Sequence, residues 1–122
     1  MKIQEISPIL WTTNLDETIK FYTEALGFTA QSNFPHFVSL SKDDTRLMFV
    51  VPQEEPDFHQ SVLTGSIYIF MENVDAFWEL VKDKATIKDP IADRAYLMRD
   101  FAILDNNGYE LVFGEDISGR PK

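Results

Sequence analysis

The chain contains no cysteine, so a disulfide framework, a zinc finger, an iron–sulfur cluster and a thiol nucleophile are excluded together. Basic residues are scarce as well. Eleven Lys and Arg stand against 20 Asp and Glu, a net charge of −9, which repels phosphate backbones and anionic membrane surfaces. Neither nucleic acid nor a membrane is an expected partner. Long apolar runs are missing too: Leu47 to Val51 and Ile67 to Met71 are the longest, about a quarter of a membrane span. The amino-terminal stretch has no apolar segment of signal-peptide length, and the expectation is a soluble, cytoplasmic protein. The five Gly show neither a dinucleotide fingerprint nor a phosphate loop, and no G-x-S-x-G elbow supports a Ser-His-Asp triad.

What is present suffices for one core. At 122 residues with 44% hydrophobic content and ten Phe, roughly two-thirds of the unfolded surface is buried on folding without staples. The expected organisation is a single domain, 1–122.

A weak internal repeat organises that domain. Ile9 to Ile19 reads as a strand running into a helix, and Ile67 to Phe77 reads the same way, with Asn14 and Asn73 as matching N-caps followed by Asp16 and Asp75. Leu15, Ile19, Tyr22 and Leu26 recur at helical spacing and Gly27 suits a left-handed C-cap, which predicts a helix over 15–26. Val74, Phe77, Trp78 and Val81 predict a second helix. Strands are expected over 28–32, 37–41 and 46–51, with a turn at 42–44. In the second half they are expected over 98–104 and 109–113, with a turn at 105–108 and a poorly formed strand near Ile87. The Pro-punctuated, acidic segment 52–60 reads as a linker. Each half, 3–52 and 64–116, is therefore a βαβββ module, and the fold class is α+β.

The segment Phe21-Tyr22-Thr23-Glu24-Ala25-Leu26-Gly27-Phe28, together with the hairpin Arg99 to Glu115 around Asp105-Asn106-Asn107-Gly108, resembles the vicinal oxygen chelate superfamily. That superfamily contains glyoxalase I, extradiol dioxygenases and the bleomycin resistance proteins. The resemblance implies that paired modules curl their mixed sheets around a ligand cup, with the helices on the outer face. Strand alternation agrees with such a division. Leu10, Leu47, Phe49, Val51, Ile67, Ile69, Leu111 and Phe113 form an apolar parity suited to helix cover. The opposite parity is mixed, as a ligand cavity with few polar anchors would be.

The resemblance also implies where a divalent metal would be held, by His or Glu on the first, fourth, fifth and eighth strands. Those positions fall here on Ser7, Met48, Ser66 and Val112, none of which supplies an imidazole or a carboxylate. No metal and no cofactor are expected. The ligand-facing candidates are Ser7, Trp11, Met48, Ser66, Tyr68, Phe70, Arg99 and Glu110. Aromatic faces in this set attract planar or cationic compounds. Arg99 also reads as an ion pair with Asp100 or Glu110, and Glu110 as a solvated strand start. His36 and His59 read as surface or rim residues, or else as a general base or metal donor. The first functional reading is a metal-free homodimer similar to the bleomycin resistance proteins, sequestering a small aromatic or cationic compound. The alternatives are a superfamily lyase or dioxygenase with a metal displaced onto Glu5, Glu110, His36 or His59, and a partner-binding regulator.

Overall fold

The computed structural model of the chain describes residues 1–32, 34–55 and 58–120. Pro56 and Asp57, within the expected linker, lie outside the described residues. The chain divides into two compact units, Met1–Ser61 and Val62–Lys122.

In the first unit β1 (Ile9–Trp11) leads into α1 (Leu15–Lys20), followed by β2 (Thr29–Gln31), β3 (Phe37–Lys42) and β4 (Thr45–Val50). The sheet order is β1-β4-β3-β2, with β1 parallel to β4 and the other neighbours antiparallel. In the second unit β5 (Ile67–Phe70), α2 (Val74–Val81), β6 (Thr86–Asp93), β7 (Met98–Leu104) and β8 (Glu110–Asp116) follow the same plan. The sheet order is β5-β8-β7-β6, with β5 parallel to β8. Both halves are thus βαβββ modules with four-stranded mixed sheets, and the fold is α+β.

The apolar parity is the helix-covered one in each unit. Leu47, Phe49, Val38 and Leu40 are buried, and the Tyr22 ring sits 5.2 Å from Phe49. Beneath α2, Phe77 packs 5.0 Å from Phe113, and Trp78 lies 5.1 Å from Phe101.

Three elements depart from the sequence expectation. The first helix is α-helical only to Lys20 and widens into a π-helical turn over Phe21–Ala25. There the Thr23 hydroxyl donates back to the Ile19 carbonyl at 2.8 Å, competing with the backbone ladder. Gly27 then takes the left-handed conformation, φ +77°, that ends the helix. Asn73 does not cap α2 with its side chain. It is itself left-handed, and the Val74 N–H donates instead to Glu115 Oε1 of β8 at 3.1 Å. Finally, the strand near Ile87 is eight residues long, with register shifts between Ile87 and Asp89 and between Asp89 and Ala92. Pro90 sits in that irregular stretch, where its missing N–H costs no ladder bond.

Candidate functional site

The open face of the second sheet is set by alternation along β5. Ile67 and Ile69 share the parity of the α2-covered face, so Tyr68 and Phe70 stand on the other side. Across β8, Tyr68 is opposite Val112 and Phe70 is opposite Gly114. Across β7, Val112 is opposite Ala102 and Gly114 is opposite Asp100. A Cβ at Gly114 would lie 2.1 Å from Tyr68 Oη. The missing side chain is what lets the phenol cross over β8 and reach β7.

It reaches Asp100. This carboxylate is 2% exposed, and a buried charge is tolerated only when paired and hydrogen-bonded. Asp100 Oδ2 accepts from Tyr68 Oη at 2.8 Å and from Tyr96 Oη at 2.5 Å, while Oδ1 accepts from Arg94 Nε at 2.8 Å. Arg94 is held in turn, its Nη2 donating to the Pro90 carbonyl at 2.8 Å and the Asp100 carbonyl at 3.2 Å. The hairpin between β6 and β7 supplies both Arg94 and Tyr96, and Leu97 there takes a positive φ of 63°.

The network sets its own protonation. Burial opposes the Asp100 charge, but hydrogen bonds from Tyr96, Arg94 and Tyr68 outweigh it and hold the carboxyl below its ordinary value. Burial and then the bond to Asp100 push the Tyr68 phenol up, and for Tyr96 the bond to Asp100 comes first. At neutral pH Asp100 is an anion and both phenols keep their protons.

These side chains line an open concavity of about 590 Å³. Ser66, Asp89, Ala102, Glu110 and Val112 complete it. Glu110 is ion-paired with Lys88. The Asp89 carboxylate makes no side-chain hydrogen bond or ion pair among the described residues, although the Arg94 and Lys88 charges act on it.

Of the candidates read from the sequence, Ser66, Tyr68 and Glu110 line this concavity, and the Phe70 ring lies 4.9 Å from Tyr68, tilted by 49°, while remaining 74% exposed. Arg99 does not line it. Alternation on β7 turns it to the face opposite Asp100, where it donates to Asp75 at 2.8 Å and Asp93 at 2.9 Å; the ion pair expected with Asp100 or Glu110 is replaced by these two. In the first unit Ser7 Oγ donates to Glu5, which pairs with Arg46 at 3.4 Å. Trp11 is 41% exposed, with the Phe58 ring edge-on at 5.4 Å. Met48 is half-buried on β4 between Ile9 and Ser39. Sequence reasoning missed Asp100, Arg94, Tyr96 and Asp89 as site residues. The available signal was an acid at an interior position of β7 sharing parity with Ala102 rather than with Phe101 and Ile103.

Residues 2–113 match the Glyoxalase/Bleomycin resistance protein/Dioxygenase superfamily, and the chain belongs to it. It is 32% identical over 110 residues to an uncharacterized protein of Mycolicibacterium smegmatis, covering 86% of this chain and 87% of that one. Among solved structures, a glyoxalase/bleomycin resistance protein/dioxygenase from Alicyclobacillus acidocaldarius superposes with a TM-score of 0.77 at 18% identity, covering 96% of this chain and 94% of that one. A protein of unknown function from Agrobacterium tumefaciens gives 0.75 at 20%, covering 95% and 96%. At these identities the structural likeness establishes the fold alone.

The positions that the superfamily resemblance implies for a divalent metal, Ser7, Ser66, Met48 and Val112, carry two hydroxyls, a thioether and an alkyl group, a donor set unsuited to a divalent transition metal. Among the described residues no three His, Asp or Glu side chains converge as a metal site would require. Likewise, no helix among them is long and apolar enough to cross a membrane.

Proposed function

We propose that this protein binds and sequesters a small aromatic or cationic organic compound, without a metal, in the concavity of the Val62–Lys122 unit. The observation that carries this reading is the buried Asp100 with Tyr68, Tyr96 and Arg94 gathered around it at one wall of an open concavity. Two phenol rings and the exposed Phe70 offer faces to a planar ligand, and a cation over such a ring gains roughly 0.5 to 2 kcal/mol. The carboxylate of Asp89 adds a negative charge. In the first unit Ser7, Trp11 and Met48 are proposed as ligand-facing positions on that unit's own open face. The functional unit is a homodimer of single-domain chains, for which light scattering should give twice the 14.1 kDa chain mass.

The test is calorimetric titration of a panel of cationic aromatic compounds, including a bleomycin-type drug, into the native protein and Tyr68→Leu. The native protein should bind at least one compound, with an affinity at least about tenfold weaker in Tyr68→Leu, the scale of one lost ring contact plus its hydrogen bond. Binding that is indifferent to Tyr68, or no binding across the panel, overturns the proposal.

A further inference from the structure

We infer, resting on the reading that this concavity holds a small cation, that Asp100 makes the site selective for cations carrying N–H groups, such as amidinium or guanidinium, over quaternary ammonium ions of similar size. A phenol has one proton and a lone-pair side. Tyr68 and Tyr96 both give their protons to Asp100 Oδ2, so each phenol oxygen meets a ligand only as an acceptor. The charges lining the concavity pair off in the same direction. Arg94 balances Asp100 and Lys88 balances Glu110, which leaves the Asp89 carboxylate outside any ion pair among the described residues, near enough to Arg94 and Lys88 to feel their charge but not bonded to either.

The complement of two committed phenol oxygens and one carboxylate outside any ion pair is a monocation that donates hydrogen bonds. A quaternary ammonium ion supplies the charge and can sit on the rings, yet it leaves the phenol oxygens desolvated and unpaired. A neutral carbonyl compound brings lone pairs against lone pairs. Selectivity thus comes from a repelled competitor as much as from an attracted ligand. Asp100 acts here as a positioning residue: it touches the phenols and fixes which way their protons point.

The experiment titrates benzamidinium, benzyltrimethylammonium and benzamide into the intact chain, native and with Asp100→Asn or Tyr96→Phe, and reads the ratio of affinities. In the native protein benzamidinium should bind about tenfold more tightly than benzyltrimethylammonium, the size of one charge-assisted hydrogen bond, and more tightly than benzamide. In Asp100→Asn the new amide N–H has to be accepted by a phenol oxygen, which turns that phenol's proton outward, and the ratio should shrink to within about threefold. Tyr96→Phe removes one acceptor at a 62% exposed side chain and should narrow the ratio with the fold intact. Equal native affinities for the two cations, or a ratio untouched in both variants, overturns the inference while the proposed function stands. If none of the three probes binds although a larger panel compound does, the inference also fails. If nothing binds at all, the proposed function falls and takes the inference with it.

Discussion

Gly114 has only a hydrogen where any larger residue would place a carbon 2.1 Å from the Tyr68 oxygen. The obstacle is part of a ring rather than the tip of a flexible chain, so Gly114→Ala has to push Tyr68 off Asp100. The expected cost is about 1–3 kcal/mol, the range for overpacking, together with loss of ligand binding. Urea denaturation measures it, with Gly65→Ala as the control. Nothing lies within 4 Å of a Cβ at Gly65, and that variant should stay within about 0.5 kcal/mol of native. Equal stability of the two variants would show that Tyr68 moves aside freely.

Asp100 adds a pH dependence whose sign follows from its lowered pKa. The unfolded chain takes up a proton near the ordinary 3.8, while the folded chain holds out to lower pH. Stability from this group is therefore complete above about pH 4 and drains away as pH falls further. Denaturation curves between pH 5 and 2.5 should show a shallower acid loss for Asp100→Asn than for the native protein; parallel losses would contradict the assignment. Most of these residue-level facts were not legible in the chain. Tyr68 could be placed on the open face by counting along one strand, but its partner Asp100 is 32 residues away and two strands over. No local spacing encodes that meeting.

The two helices begin at matching Asn residues and are capped differently. Asn14 accepts from the Glu17 N–H at 2.9 Å, so Asn14→Ala should cost about 1 kcal/mol. Asn73 is left-handed at φ 56° with no side-chain capping hydrogen bond, and Asn73→Gly should be neutral or slightly stabilising, since glycine takes that conformation without steric cost. Glu115→Ala should behave like the Asn14 variant, because it removes the acceptor for Val74 N–H. Thermal melts of the three variants decide the matter, and a loss at Asn73 equal to that at Asn14 would refute the assigned caps. At this scale the sequence was informative. Period-two and helical spacing placed both helices and most strands, and the expected strand over 98–104 is β7. Its failures lie where a tertiary partner overrides a local preference, as Glu115 does for Asn73. The Thr23 back-bond that widens the first helix was equally invisible in the apolar stripe of that helix.

For the molecule as a whole, a net charge of −9 surrounds a site proposed to hold a cation. The affinity for benzamidinium should fall as ionic strength rises from 0.01 to 0.15 M, where the screening length shortens from about 30 to about 8 Å. Benzamide, having no charge, should show no such trend. Titrations at the two salt concentrations test this, and a salt-independent benzamidinium affinity would remove charge from the account of binding.

By itself the sequence determined the class of fold. The doubled strand-helix-three-strand order follows from hydrophobic periodicity, turn residues and caps, all of which act over a few residues and leave their spacing in the chain. It also determined that no cysteine chemistry occurs, and through the resemblance it implied metal positions that carry neither imidazole nor carboxylate. Tertiary structure alone decided the site. Strand order β5-β8-β7 and the missing side chain at Gly114 bring Tyr68 to Asp100, while the β6–β7 hairpin delivers Tyr96 and Arg94 to the same carboxylate. The same alternation that put Asp100 inside turned its neighbour Arg99 away to Asp75 and Asp93. Which polar groups meet depends on register between strands distant in sequence, and that register is chosen by packing of the whole sheet on α2 rather than by any residue's immediate neighbours.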